Sequence, residues 1–454
     1  MQKRTEGVEL LTGDPRRAII RLSGPMVVAM LLLSAYNLAD AIWVAGLGYE
    51  ALAAVGFVGP VFMVLIGLGI GLGAGVTSAI ARRIGAGDKS GADRVATHAI
   101  VLSIAVSAVL TVPLVLLAGP IVTLLGAGPA APPATVYGQI IFGGTIFVIF
   151  TNLAYAVLRG EGDTKRTMYA MAASSVLNIV LDPILIYWAG WGIAGAAWAT
   201  VISIAAVSVL ILYWFLVRAD TYVRLSFSRF SLDRSIIADI FRVGIPASLE
   251  FALMSVLVII LNGILVLVSG TNAVAVYAAG WRVVTFAIIP FIAIGTSVVS
   301  VSGAAYGARQ FDKIRIAHRF GVGIGIVIGI VTSALTWVLA PAISLLFSYS
   351  EESAHLAPSI VIFLRIMCLF YPFVPPGLIS GSVFQGTGKG MTSLFLNLLR
   401  QLVFIAICAW VFAIPLGMNE IGVWWGIVAG DILGGIVAYG WARLYIGRIC
   451  ASAG

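Results

Sequence analysis

Residues 17–43 read RAIIRLSGPMVVAMLLLSAYNLADAIW. Past Arg17 and Arg21 the run stays apolar long enough to cross about 30 Å of hydrocarbon as a helix rising about 1.5 Å per residue. Near its far end it carries a carboxylate, Asp40. The run decides the fold because it recurs. Apolar stretches of similar length fall at 51–81, 96–118, 134–157, 166–187, 192–217, 238–268, 275–305, 318–346, 357–384, 391–415 and 421–447, which makes twelve spans. Composition agrees, since 61 % of the 454 residues are hydrophobic and the mean hydropathy is +1.07, whereas soluble proteins are about half apolar. The reading is an all-α polytopic membrane protein. The first fifteen residues are polar and carry Lys3, Arg4, Glu6, Glu9 and Asp14, so the first span itself is expected to direct insertion rather than a cleavable signal peptide.

Positive charge sets the expected orientation, because Lys and Arg are retained on the cytoplasmic side. Basic residues precede span one (Lys3, Arg4, Arg16, Arg17, Arg21) and follow span two (Arg82, Arg83, Lys89, Arg94) and span four (Arg159, Lys165, Arg166). They surround the link between spans six and seven (Arg218, Arg224, Arg229, Arg234, Arg242). They then follow span eight (Arg309, Lys313, Arg315, Arg319) and span ten (Lys389), and close the chain (Arg443, Arg448). The opposite loops carry Glu50, Glu351, Glu352 and Glu420. Both termini are therefore expected in the cytoplasm, with the protein in the plasma (inner) membrane. The net charge of +8 is accounted for by topology and implies no nucleic-acid partner. Cys368 and Cys408 lie within spans and Cys450 in the tail, so no disulfide framework is implied.

The most polar internal stretch, near 218–242, divides the chain into two echoing halves. Gly24 and Pro25 are matched by Gly244, Ile245 and Pro246, and Leu-Arg-Gly-Glu-Gly at 158–162 by Phe-Gln-Gly-Thr-Gly at 384–388. Gly-Ile-Ala-Gly-Ala-Ala-Trp at 192–198 is echoed by Gly-Val-Trp-Trp-Gly-Ile-Val at 422–428. Six spans per half give both halves the same orientation, so two six-helix bundles related by a pseudo-two-fold axis along the membrane normal are expected. The expected boundaries are a lobe over 1–217, a linker over 218–237 and a second lobe over 238–454. Parallel repeats of this kind favour a channel or transporter.

A carboxylate inside the bilayer costs about 3 kcal/mol on insertion scales, so intramembrane acids usually face a cavity and bind something. Asp40 lies nineteen residues beyond Arg21, about 28 Å, and Asp182 sixteen beyond Arg166, about 24 Å. Both reach the half of the membrane away from the basic loops. Tyr36 and Asn178 each precede an aspartate by one helical turn and share its face. Thr200 and Tyr137 fall in the same layer. Such oxygen-rich company suits H⁺ or Na⁺, with Asp40, Asp182, Asn178 and Thr200 as the possible Na⁺ ligands. The competing reading is that the acids brace helices, with Asp182-Pro183 as a local helix break. Against it, the repeat places Leu261, Asn262 and Cys408 where a recurring brace would put acids.

Other strings exclude enzymatic classes. The glycines Gly67, Gly69, Gly71, Gly73 and Gly75 lie inside span two with no strand before them, so they read as helix packing. Gly386, Gly388, Lys389 and Gly390 lack the phosphate-loop spacing, so no ATP hydrolysis is expected. His98, His318 and His355 are scattered and suggest no metal site, and no Asp-x-x-x-Asp run marks a prenyl transferase.

Tyr-Asn-Leu-Ala-Asp at 36–40, Ala-Arg-Arg-Ile-Gly-Ala-Gly-Asp at 81–88, Leu-Arg-Gly-Glu-Gly-Asp-Thr-Lys at 158–165, Leu-Asn-Ile-Val-Leu-Asp-Pro at 177–183 and Gly-Ile-Ala-Gly-Ala-Ala-Trp-Ala-Thr at 192–200 resemble the multidrug and toxic compound extrusion (MATE) family. The nearest likeness is to its DinF-like branch, including archaeal members. The second half agrees through Phe-Gln-Gly-Thr-Gly-Lys at 384–389, Leu-Leu-Arg-Gln at 398–401 and Gly-Val-Trp at 422–424. The resemblance implies two bundles in a V shape, alternating access, and export of organic cationic or amphiphilic small molecules driven by inward H⁺ or Na⁺. It implies no cofactor and a monomer in the lipid bilayer. It assigns the coupling acids to Asp40 and Asp182, with Tyr36, Tyr137, Asn178 and Thr200 around them and Pro25 as the bend in helix one. Glu250 stands where this branch more often has an amide. Arg282, Arg365 and Arg400 are the basic residues outside the basic loops, and buried ion pairs with Glu250 and Asp431 are expected of them. A lipid-linked oligosaccharide flippase of the same superfamily is the alternative, with those arginines attracting a phosphate.

Overall fold

The computed structural model describes residues 5–227, 230–348 and 354–452. Lys3, Arg4 and Arg229 of the basic loops, and Glu351 and Glu352 opposite, lie outside the described residues. A short α1 (Glu6–Thr12) precedes α2 (Pro15–Ala45), α3 (Tyr49–Gly85) and α4 (Lys89–Leu124). Span four is two helices, α5 (Ala131–Gly143) and α6 (Thr145–Gly160), meeting at 45°. Next come α7 (Thr164–Pro183) and α8 (Gly192–Leu212), each ending in a π-helical turn, Ile184–Trp188 and Tyr213–Arg218. The second half holds α9 (Arg234–Gly307), α10 (Phe311–Leu345), α11 (Ala357–Met367), α12 (Val374–Gly386), α13 (Gly390–Leu398), α14 (Ala406–Ala413) and α15 (Asn419–Ala451).

The 74 residues of α9 would measure about 110 Å as one rod, several bilayer cores long. Gly270, at φ 75° and ψ −166°, breaks it into two spans. A residue with a Cβ rarely adopts that conformation, so glycine makes the reversal possible. Ten apolar helices pass the length test, and the bent α5–α6 pair adds one. The division at Gly270 brings the described residues to the expected twelve spans. The fold is nearly all helical because a lipid-exposed backbone must satisfy its own N–H and C=O groups. α2 runs unbroken through Pro25, although that proline removes one helical hydrogen bond.

The chain separates into two compact units. The first holds the residues up to Thr12 together with Gly24–Ser248, and the second holds Gly13–Ser23 and the chain from Leu249 onward. The boundaries thus fall beside Pro25 and Pro246. Within the first unit two apolar layers stack along the helices. The layer near the basic loops contains Ile80, Val95, Leu153, Ala170 and Ile211, and the far layer contains Val58, Tyr137, Ile141, Ile186 and Ala197. In the second unit Phe363, Tyr277 and Trp424 centre the core, with Phe363 edge-on to both other rings. There the Gly422, Gly426 and Gly430 stripe lets α15 lie against the backbones of Phe412, Ala409 and Ile405, where an added Cβ would come within 2.6 Å.

The stretch after α8 is held to the first unit by side chains that accept its backbone N–H groups. Glu161 Oε2 accepts from Val223 N at 2.8 Å, and Asp93 Oδ1 from Arg224 N at 2.7 Å. Thr97 Oγ1 accepts from Ser226 N at 3.2 Å, and His98 Nε2 from Asp233 N at 2.9 Å. This ladder explains why residues 219–248 group with the first unit. His98, which suggested no metal site in the sequence, is one of its rungs. Burial pushes the Glu161 carboxyl up to about 8, against the Val223 N–H, which favours the ionised form. Several basic-loop arginines are paired: Arg82 and Arg83 both bind Asp239 at 2.8 Å, and Arg166 and Arg218 both bind Asp220 at 2.8 Å.

Candidate functional site

Between the two apolar layers of the first unit lies a polar layer. On α7, Asp182 is fully buried and Asn178 nearly so, on a face between Ala170 below and Ile186 above. Thr200 of α8 and Tyr137 of α5 are also buried. With the Asn178 amide turned to satisfy both of its ends, its nitrogen donates to Asp182 Oδ2 at 3.1 Å and its oxygen accepts from Thr200 N at 3.2 Å. The Thr200 hydroxyl donates to Ala196 O at 3.2 Å. The Tyr36 hydroxyl lies near the Thr200 side chain. Asp40 on α2 completes the group, lying near Asp182, Tyr36 and Tyr137. The structure therefore brings Tyr36, Asp40, Tyr137, Asn178, Asp182 and Thr200 into one cluster drawn from α2, α5, α7 and α8.

The electrostatics of this cluster are one-sided. Asp40 Oδ1 and Asp182 Oδ1 have no hydrogen-bond partner, and no basic side chain pairs with either acid among the described residues. Two dehydrated carboxylates near each other repel, and either a shared proton or a small cation relieves that repulsion. Carboxylate, amide and hydroxyl oxygens suit a hard ion. No group of three or more His, Cys, Asp or Glu forms a conventional metal cluster among the described residues, so a cation here would rely on Asn178 and Thr200 as well as the two acids. Immediately past Asp182 the helix widens into the Ile184–Trp188 π turn, a distortion frequent at functional sites. The helix does not stop at Asp182-Pro183 as a simple break would. The buried Ser175 hydroxyl, also without a partner, lies one turn before Asn178. Its spacing of three and seven from Asn178 and Asp182 was the available signal for it.

The second unit holds a different polar group. Glu250 Oε1 accepts from the Ser393 hydroxyl at 2.7 Å, and Glu250 Oε2 from Gln385 Nε2 at 3.3 Å. Arg400 NH1 pairs with Asp431 Oδ1 at 3.0 Å, and its NH2 donates to Asn397 Oδ1 at 3.0 Å. The pairing expected of Arg400 and Asp431 is present. Glu250 is satisfied instead by neutral donors. Arg365 lies over the Trp337 ring at 5.4 Å, and Arg282 is exposed, with no ion pair to Glu250 or Asp431 among the described residues. Gln385, Ser393 and Asn397 were missed in sequence, although Gln385 sits in the quoted Phe-Gln-Gly-Thr-Gly string.

Residues 25–184 and 246–411 match the profile of the family described as MatE. The multidrug export protein MepA of Staphylococcus saprophyticus is 27 % identical over 86 % of each chain. Among solved structures, the outward-facing conformation of a multidrug resistance MATE family transporter of the MOP superfamily is 42 % identical, with a TM-score of 0.96 over 99 % of this chain and 100 % of that one. A MOP superfamily transporter from Pyrococcus furiosus, whose reverse pocket polarity is said to suggest a different function, is 41 % identical with a TM-score of 0.95 over 99 % of each chain.

Proposed function

Because the chain belongs to the MATE family of membrane transporters, we propose that it exports organic cationic or amphiphilic molecules in exchange for inward H⁺ or Na⁺. It is a transporter and not an enzyme. The lipid-flippase alternative is set aside, since MepA and the outward-facing MATE transporter are named for multidrug export and multidrug resistance. Asp40 and Asp182 take up the driving ion from the side opposite the basic loops. Asn178 and Thr200 orient Asp182, and Tyr36 and Tyr137 close the cluster. The observation that carries this reading is Asp182 itself: a fully buried carboxylate with one oxygen unpartnered, near a second acid and without a basic partner among the described residues.

Occupancy by the ion neutralises the pair and removes the repulsion between α2 and α7, which changes how the two helices pack. Pro25 gives α2 a point at which it yields, because one backbone bond is already missing there. The two lobes then exchange access to the substrate. The protein works as a monomer in the plasma membrane, with both termini and the basic loops in the cytoplasm. The reading is tested by efflux of ethidium from proteoliposomes with the Na⁺ and pH gradients imposed separately. One gradient drives export by the parent, and Asp40→Asn and Asp182→Asn abolish that dependence. Export by Asp182→Asn that still followed the gradient would overturn the assignment.

A further inference from the structure

We infer that Tyr187 is a positioning residue that clamps together the far ends of the two acid-bearing helices and thereby sets how tightly the driving ion is held. The inference rests on the coupling role proposed for Asp40 and Asp182. Trp43 follows Asp40 by about one helical turn on α2, and Tyr187 follows Asp182 within the π turn that ends α7. The Tyr187 hydroxyl donates to the Trp43 carbonyl oxygen at 2.6 Å, and the two rings meet edge to face at 6.2 Å.

This bond fills a defined gap. The last carbonyls of a helix lack intrahelical donors. Past Trp43, the Gly46, Leu47 and Gly48 amides go to the carbonyls of Ile42, Val44 and Ala45. The Trp43 carbonyl is left to the Tyr187 hydroxyl. Gly46 then leaves room for the phenol: a Cβ there would stand 2.2 Å from the Tyr187 hydroxyl oxygen but 3.4 Å from its Cζ. The clash would therefore be with the hydroxyl rather than with the ring. On the other side, the π turn gives Tyr187 its aim. The turn closes through Ala189 N to Ile184 O at 2.8 Å, a five-residue rather than a four-residue step, so Tyr187 inside it is displaced from the direction a regular helix would give it. Gly195 of α8 holds that turn by packing directly on the Leu185 backbone, where a Cβ would come within 2.6 Å. With both helix ends fixed, the approach of Asp40 to Asp182 is fixed too.

The test uses the same reconstituted ethidium efflux, read as the external concentration of the driving ion that gives half-maximal rate. Tyr187→Phe keeps the ring and loses the bond. It is expected to raise the half-saturating concentration about three- to tenfold, the scale of one hydrogen bond, with the maximal rate retained. Gly46→Ala should shift it at least as far by displacing the hydroxyl. The double variant Gly46→Ala with Tyr187→Phe should be no worse than Tyr187→Phe alone, because the clashing oxygen is gone. An unchanged half-saturation in Tyr187→Phe, or additive losses in the double variant, would overturn the clamp. Asp40→Asn run alongside separates the two levels: if it keeps its ion dependence, the coupling reading and the clamp both fail. If it loses that dependence while Tyr187→Phe is unshifted, the clamp alone fails.

Discussion

The two halves of the chain bury acids in opposite ways. In the first unit, Asp40 and Asp182 lie near each other, each with one oxygen left unpartnered and with no basic side chain paired to either among the described residues. In the second, Asp431 also leaves its Oδ2 unpartnered but is paired through Oδ1 with Arg400, and Glu250 accepts from Ser393 and Gln385. A buried charge is tolerated when it is paired or when something else neutralises it. The second unit supplies a basic partner for Asp431; in the proposed mechanism the first leaves that role to the driving ion. On that proposal the repeated architecture separates an acid pair used for exchange from an ion pair that serves structure.

The sharpest way to break this comparison is to neutralise one acid in each half. Asp182→Asn should cut ion-driven efflux by about tenfold or more with the fold intact, since loss of the ion's main ligand exceeds about 1.4 kcal/mol; Glu250→Gln should cut it far less. Next in size is the structural pair. Arg400→Met leaves Asp431 buried and unpaired and should destabilise the protein by about 3–5 kcal/mol, seen as a lower Tm in detergent. Adding Asp431→Asn should recover part of that loss. A smaller effect is expected of Thr200→Val, which keeps shape but removes the hydroxyl near Tyr36 and Asn178. It should weaken the driving ion's half-saturation about two- to tenfold.

A pH dependence of stability lies outside both sites, at Glu161. Burial raises its folded pKa from the ordinary 4.5 to about 8. A folded pKa above the unfolded one means that the contribution is fully present below about 4.5 and is lost as pH rises through about 8. Melting temperature should therefore fall as pH is raised through that window, and Glu161→Gln should flatten the decline.

Much of this molecule is legible in sequence because lipid imposes simple rules. Twelve apolar runs, alternating basic loops and two costly aspartates can be read residue by residue. Helical spacing placed Tyr36 with Asp40 and Asn178 with Asp182, and depth counting added Thr200 and Tyr137. What resisted reading came from other physics. The 45° break at Gly143–Gly144 lies in an apolar run without proline. The π turns depend on packing, as where Gly195 presses on Leu185. The ladder from Asp93, Thr97, His98 and Glu161 to the linker joins residues 62 to 135 positions apart, beyond the reach of any local pattern. Arg365 was expected in an ion pair, but the ring of Trp337 meets its guanidinium instead.

The most direct test of the central claim is ion occupancy of the purified protein in detergent, measured as proton uptake and as Na⁺ bound at equilibrium. It would compare the parent with Asp182→Asn and Glu250→Gln. The account predicts that one of the two ions binds the parent, is lost from Asp182→Asn and is kept by Glu250→Gln. Binding that survived in Asp182→Asn and disappeared in Glu250→Gln would contradict it.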